Sequence, residues 1–283
     1  MKTKTIRRTW LAIASCVLLA WFPAAAAERP NVLWITCEDI SPHLGCYGDP
    51  VATTPNLDRL AEEGVRYTAA FAAASVCSPA RSCLITGVYP SSLGTQHLRS
   101  TLPIPRGIRC FPEYLRAAGY YASNNVKEDY NFKTSAECWD ESSRQAHWRK
   151  RKAGQPFFCV FNFTGTHQSQ VRLAPKAFAE RTKRLTAAER HDPADVPLPP
   201  YYPDTPLVRR DVANLHDLIT AMDKQVGDLL AELEADGLAD ETIVFFYSDH
   251  GTGLPRHKRW LYDSGIRVPL VIRFPEKFRR WAP

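Results

Sequence analysis

The chain has 283 residues, eight cysteines and a formal net charge of +6. Residues 1–27 hold four basic residues and no acidic residue, so the remaining 256 residues carry a net charge of only +2. That balance gives no indication of a nucleic-acid partner, and the length suffices for one large domain or two small ones. The sequence contains no C-x-x-C pair, which argues against the common structural zinc motifs.

The first 27 residues have the pattern of a secretory signal peptide. Residues 2–8 are basic, the apolar stretch 9–22 is too short for a comfortable membrane span, and residues 24–27 are alanines suited to cleavage. We therefore predict a signal peptide at 1–27 and an exported protein, periplasmic or secreted, without stable membrane association after cleavage. The pair Arg7-Arg8 leaves the choice between the general and the twin-arginine export routes open.

The rest of the chain, 28–283, alternates between strand and helix patterns. Apolar runs predict strands at 31–36, 65–71, 120–123, 157–163, 243–247 and 268–274. Start and stop signals or apolar periodicity predict helices at 54–63, 111–118 and 207–235, and a proline-rich loop occupies 193–206. This alternation favours a doubly wound α/β fold, with a mostly parallel sheet and helices on both faces.

Residues 77–87 read C-S-P-A-R-S-C-L-I-T-G and have the features of a helix start. Ser78 is a suitable N-cap and Pro79 suits the first helical position, which would place Cys77 just outside the helix N-terminus. Free N–H groups and the helix dipole favour anions there, and Arg81 adds a fixed positive charge one turn later. The stretch indicates chemistry on an anionic group, although a small buried cysteine at a helix start would give the same local pattern.

Polar side chains follow three of the predicted strands. Glu38 and Asp39 come after the first strand, His167 after the phenylalanine-rich strand, and Asp249 and His250 after the strand that ends near 247. Because active residues of such sheets gather at the carboxyl ends of the strands, we expect these side chains to share one site. Carboxylate oxygens are the ligands that Ca²⁺ and Mg²⁺ prefer, although each residue alone could be a polar loop end or a helix cap.

The sequence C-S-P-A-R followed by L-x-T-G resembles the signature of formylglycine-dependent type I sulfatases, in the alkaline-phosphatase-like superfamily. In that family the cysteine is oxidised to formylglycine after translation. The resemblance implies an alkaline-phosphatase-like fold and hydrolysis of sulfate esters, on a sulfated small molecule or polysaccharide. It also implies a partner that carries out the oxidation, either a formylglycine-generating enzyme or a sulfatase-maturating enzyme.

The resemblance extends to individual residues. For one divalent ion, Ca²⁺ or alternatively Mg²⁺, it implies five ligands: Glu38, Asp39, Cys77, Asp249 and His250. For catalysis it implies five residues: Cys77, Arg81, Lys127, His167 and Lys258, the last of which precedes Y-D-S-G-I-R-V-P. Three positions depart from the family pattern, since Glu38 replaces an aspartate, Asp129 a histidine and Ser169 a proline.

The resemblance covers most of residues 30–275. Family members generally continue beyond this point, so we expect 28–283 to be a catalytic domain that is incomplete at its C-terminal end and lacks the family's C-terminal subdomain. We expect an unpaired sheet edge, an exposed apolar face and marginal stability as a consequence. Alternative functions are hydrolysis of phosphonate or phosphate monoesters, sulfamate hydrolysis, or an inactive fragment.

Overall fold

A single sheet organises residues 29–283, the part of the chain that the computed structural model describes. The predicted signal peptide at 1–27 lies outside the described residues. The strands are β1 (Asn31–Cys37), β2 (Val65–Arg66), β3 (Tyr121–Asn125), β4 (Glu141–Ser142), β5 (Phe157–Phe163), β6 (Thr242–Ser248) and β7 (Leu270–Arg273). Their order across the sheet is β2-β7-β6-β1-β5-β3-β4.

Helices connect and cover these strands. They are α1 (Pro55–Glu62), α2 (Cys77–Thr86), α3 (Pro90–Leu93), α4 (Phe111–Ala117), α5 (Gln168–Val171), α6 (Pro175–Arg181), α7 (Pro206–Ala235) and α8 (Asp263–Ile266). Between residues 29 and 283, no helix is both long enough and apolar enough to cross a membrane.

The strand β1 lies at the centre of the sheet and pairs in parallel with β5 and β6. Its successive side chains point to opposite faces, so that Leu33 and Ile35 belong to the core beneath α1 and α7. Trp34 belongs to the opposite face, beneath α2 and α4, where its ring lies 5.0 Å from that of Phe111. The apolar periodicity that predicts α7 comes from eight residues, and all of them are buried: Leu215, Leu218, Ile219, Met222, Val226, Leu229, Leu230 and Leu233. The predicted parallel sheet with helices on both faces is thus confirmed.

The edge formed by β2 and β7 differs from the prediction. Both strands are antiparallel to their neighbours, and the strand expected at 65–71 ends at Arg66. The Tyr47 hydroxyl lies between the two backbones at this point, where it donates to the Tyr67 carbonyl and accepts from the Leu270 N–H, both at 2.9 Å. The Tyr67 carbonyl and the Leu270 N–H would otherwise bond to each other and extend the pairing of β2 with β7. The Tyr47 side chain, which is distant in sequence, therefore ends β2.

The parallel register determines where the site forms. Cys37 at the end of β1 is level with Phe163 at the end of β5 and with Ser248 at the end of β6. The segments that follow these three strands therefore meet at one edge of the sheet, as expected for a doubly wound fold.

Candidate active site

Cys77 is the first residue of α2, and the expectation that it precedes the helix is wrong. The N-cap residue is Val76, and no side chain caps this helix start. The Ser78 hydroxyl instead accepts a hydrogen bond from the backbone N–H of Arg99 at 3.0 Å, so it is used in a contact between segments. Cys77 is 2% exposed and lies in the first turn, where unpaired N–H groups still favour negative charge.

Two histidines contact the Cys77 sulfur. His250 Nε2 lies 3.3 Å from Cys77 Sγ. Burial raises the pKa of the Cys77 thiol, but hydrogen bonds with His167 and His250 outweigh burial and lower this pKa to about 7. The backbone N–H of Ser169 donates to His167 Nδ1 at 3.3 Å, and the Ser169 hydroxyl lies 2.8 Å from the same nitrogen, so Ser169 orients the ring. A proline at 169 would have no N–H to donate.

Three buried carboxylates surround this position, and each is paired with a cation. The pairs are Glu38 with Lys127, Asp39 with Lys258 at 2.8 Å, and Asp249 with Arg81 at 3.1 Å. All three carboxylate residues are at most 2% exposed. Buried charges are tolerated when they are paired in this way, and the fixed charges of the three pairs cancel.

His250 lies between two of these carboxylates. Its Nε2 is 3.1 Å from Asp39 Oδ1 and 3.6 Å from Asp249 Oδ1. Burial lowers the pKa of His250, but the carboxylates of Asp249 and Asp39 outweigh burial and raise it to about 10. The site therefore favours positive charge at this point.

The donor atoms of this cluster are suited to a divalent ion. Ligand atoms of Asp39, Cys77 and His250 all lie within 4.8 Å of one another, as do those of Glu38, Cys77 and Asp249. Three carboxylates provide the oxygen ligands that hard cations prefer, and together with one imidazole they form a donor set that fits a calcium or magnesium ion.

The loop after β1 is held in an unusual conformation that presents Asp39. This residue has φ of 53°, a left-handed conformation that aspartate tolerates better than most residues. Asp39 Oδ2 accepts from the backbone N–H of Gln168 at 2.8 Å. A Cβ atom at Gly253 would lie 2.8 Å from Asp39 Oδ2, so the close approach of the loop that follows β6 requires glycine there.

Two asparagines complete the site and are absent from the sequence-based assignment. Arg81 Nη1 donates to Asn162 Oδ1 at 2.7 Å, and Asn162 Nδ2 donates to Asn124 Oδ1 at 2.9 Å. The signal that could have identified Asn162 is a polar residue near the carboxyl end of an otherwise apolar strand. Arg81 Nη2 is buried and has no hydrogen-bond partner among the described residues, so one strong donor is available to a further oxygen.

The structure brings all nine predicted site residues into one network. Lys127 contacts Glu38, and the adjacent Asp39 contacts Lys258 and His250. His250 and His167 both contact Cys77. Asp249 lies beside His250 and pairs with Arg81. Asp129, at a position where the family has a histidine, lies 3.5 Å from Lys127 Nζ. The geometry thus agrees with a shared site, while the role of each residue remains a prediction.

Comparison with known proteins gives consistent matches. The profile of the Sulfatase family matches residues 30–137 and 121–282. An ulvan-active sulfatase from Formosa agariphila is 43% identical over 88% of this chain and 48% of its own length. Human N-sulphoglucosamine sulphohydrolase is 27% identical over 95% of this chain and 60% of its own length, so the chain spans about half of these curated relatives.

The fold comparison agrees with the sequence matches. The crystal structure of the phosphonate monoester hydrolase of Agrobacterium radiobacter superposes with a TM-score of 0.68 and 18% identity, over 87% of this chain and 68% of that one. At this identity the likeness concerns the fold alone. The profile match covers nearly all of the described residues, and the chain belongs to the sulfatase family.

Proposed function

We propose that this chain carries the active site of an enzyme that hydrolyses sulfate esters of a carbohydrate, with Cys77 matured to formylglycine. The observation that supports this most directly is the position of Cys77, buried in the first turn of α2 between two histidines and beside three carboxylates. The relatives named as an ulvan-active sulfatase and an N-sulphoglucosamine sulphohydrolase support a sulfated carbohydrate as the substrate.

The charges of the site support an anionic substrate. The three carboxylates balance Arg81, Lys127 and Lys258, so a divalent ion held by the carboxylates would leave the site positive. We propose Ca²⁺ as this ion, held by Glu38, Asp39, Asp249, His250 and the matured residue 77. When bound, it would stabilise negative charge on the sulfate oxygens as a Lewis acid.

The protein side chains have distinct parts in this proposal. Residue 77, once oxidised to an aldehyde and hydrated, supplies a hydroxyl group as the nucleophile. Lys127 and Lys258 each offer an ammonium group to the sulfate oxygens, and His167 is placed to hydrogen-bond with residue 77. Arg81 holds Asp249 and Asn162 in place and still has an unused donor on Nη2.

Maturation and export belong to the same proposal. Cys77 would be oxidised by a formylglycine-generating or sulfatase-maturating enzyme, which must act before α2 buries the side chain, since Cys77 is 2% exposed in the folded chain. The basic and apolar pattern of residues 1–27 supports export to the periplasm or the medium.

The test is co-expression of the chain with a formylglycine-generating enzyme. We expect the peptide that contains residue 77 to lose about 18 Da and the protein to hydrolyse aryl and carbohydrate sulfates faster than the matching phosphonates and phosphates. Cys77→Ala should abolish turnover. Cys83→Ala is the matched control, because Cys83 lies on the same helix, is only partly buried and has no part in the proposed reaction, and it should retain the activity.

Two outcomes would contradict the proposal. Full activity with an unconverted cysteine would exclude the formylglycine route, and a preference for the phosphonate would favour the alternative hydrolase. Chelation followed by readdition of calcium tests the metal assignment separately from the cysteine assignment. The metal assignment predicts a loss of activity that calcium reverses, and the cysteine assignment predicts no such effect.

A further inference from the structure

A second cluster of metal-binding side chains lies apart from the active site and shares no residue with it. His43 and Asp49 belong to the loop that follows β1, and His216 belongs to α7. The ligand atoms of these three residues all lie within 4.8 Å of one another. His43 Nδ1 is 2.9 Å and His216 Nε2 is 3.3 Å from the same atom, Asp49 Oδ2.

The hydrogen bonds of this cluster leave one contact unexplained. His216 Nδ1 lies 3.0 Å from the Val212 carbonyl, which only accepts, so the neutral ring carries its proton on Nδ1. Its Nε2 then directs a lone pair at Asp49 Oδ2, which is also an acceptor. Asp49 is itself fixed, because Oδ1 accepts the backbone N–H groups of Val51 and Ala52, both at 3.1 Å. Two acceptors at 3.3 Å require a positive species between them, either a proton or a metal ion.

The surroundings favour the metal ion. A histidine ligand that donates its other ring N–H to a backbone carbonyl is the usual arrangement around a bound metal, and His216 has this arrangement. The distances from Asp49 Oδ2 to the two imidazole nitrogens are 2.9 and 3.3 Å. These are close to about 3.3 Å, the separation between two ligands of a tetrahedral ion with bonds near 2.0–2.1 Å. A cavity of about 290 Å³ borders all three side chains and has room for a water molecule as the fourth ligand.

We propose that His43, Asp49 and His216 bind a divalent transition-metal ion, with zinc as the best fit. Two imidazole nitrogens and one carboxylate suit zinc, whereas calcium and magnesium prefer sets in which oxygen ligands are the majority, as in the active-site cluster. The ion would join the loop after β1 to α7, and thereby brace the loop that carries Asp39. This assignment does not depend on the sulfatase activity, since neither its geometry nor its test uses a substrate.

Cobalt is the most informative probe, because its visible spectrum reports the ligands. We would titrate the metal-free full chain with Co²⁺ in excess Ca²⁺, which occupies the carboxylate cluster. Binding at the proposed site should give d–d absorption without a thiolate-to-cobalt charge-transfer band, whereas cobalt beside Cys77 would show that band. Zn²⁺ should displace the cobalt with a stoichiometry of one.

Three variants decide whether these side chains are the ligands. His43→Gln and His216→Gln should each weaken cobalt binding by at least about 100-fold, since loss of a ligand costs no less than loss of a group that orients one. His97→Gln, at an exposed histidine outside the cluster, should bind as the unaltered chain does. His43 is partly exposed, so its variant should still fold even if the buried His216 variant does not.

The proposal is overturned if the unaltered chain shows no thiolate-free cobalt spectrum. It is also overturned if His43→Gln folds and binds cobalt unchanged. An NMR spectrum that shows His216 as an imidazolium, with no uptake of Zn²⁺, would assign the positive species as a proton.

Discussion

The ion pair between Arg81 and Asp249 allows a quantitative test of how this site is held together. Its side chains are 5% and 0% exposed, and Arg81 Nε lies 3.1 Å from Asp249 Oδ2. Arg81→Met keeps much of the side-chain volume but leaves the carboxylate buried without this partner, and removing one member of a buried pair costs about 3–5 kcal/mol. His250 and Lys127 also stabilise the Asp249 carboxylate, so we expect a value near the lower limit, about 3 kcal/mol.

A double-mutant cycle isolates the pair from other effects. Free energies of unfolding would be measured by urea denaturation in the presence of a chelator, for the unaltered chain, Arg81→Met, Asp249→Asn and the double variant. Because the double variant leaves no uncompensated charge, we expect a coupling energy of about 2 kcal/mol. The exposed pair of Arg149 and Asp236, at 50% and 25%, is the matched control, and its cycle should give no more than about 1 kcal/mol.

The result that would refute this reasoning is specific. If the Arg81–Asp249 coupling equals that of the surface control, Asp249 does not depend on Arg81 for its charge balance. The neighbouring cations would then be sufficient, and Arg81 would act mainly through Asn162.

Three further predictions concern pH, a buried hydrogen-bond acceptor and the metal. Burial lowers the pKa of His257 to about 4. Between about pH 6.5 and about pH 4 this histidine is therefore protonated in the unfolded chain and neutral in the folded chain. The free energy of unfolding should fall by up to about 3 kcal/mol across this range. Urea midpoints should therefore fall less steeply for His257→Gln over this range, and parallel curves would contradict the assignment. Asp223→Ala removes the acceptor for the backbone N–H groups of Asn56 and Leu57. The free energy of unfolding, measured by thermal melting, should fall by about 2–4 kcal/mol. An unchanged melting temperature would show that water replaces the carboxylate. Chelation should abolish sulfate release by the matured chain, and addition of Ca²⁺ should restore it. The Asp39→Asn variant should remain inactive at the same calcium concentration. Recovery of activity in that variant would exclude Asp39 as a ligand.

The parts of this site that sequence could predict are those set by short-range pattern. Apolar runs identify β1, β5 and β6, and the polar residues directly after them identify Asp39, His167 and Asp249. Parallel pairing then places these strand ends side by side, so a rule about topology is enough to group residues more than 200 positions apart.

The parts that sequence could not predict depend on contacts between distant segments. Ser78 fits the local rule for an N-cap, yet its hydroxyl accepts from Arg99, which lies 21 residues away. The second strand ends early because Tyr47 inserts its hydroxyl group into the ladder. Asn162 lies in an apolar strand and gains its importance from Arg81 and Asn124, which belong to different elements. Local propensity is a weak prior, and in each case tertiary structure overrides it.

Each of the three departures from the family pattern contacts either Lys127 or His167. Glu38 and Asp129 both contact Lys127, and the N–H of Ser169 fixes the ring of His167. The neighbouring pair of Arg81 and Asp249 keeps the residues that the resemblance implies, and ligand atoms of Asp249, Glu38 and Cys77 lie within 4.8 Å of one another. In the proposed site Glu38 is a metal ligand and Lys127 offers its ammonium group to the sulfate, so the departures lie both where the metal and where the anion would be held. We therefore expect these three positions to influence the substrate preference of this chain through the placement of the metal ion, Lys127 and His167.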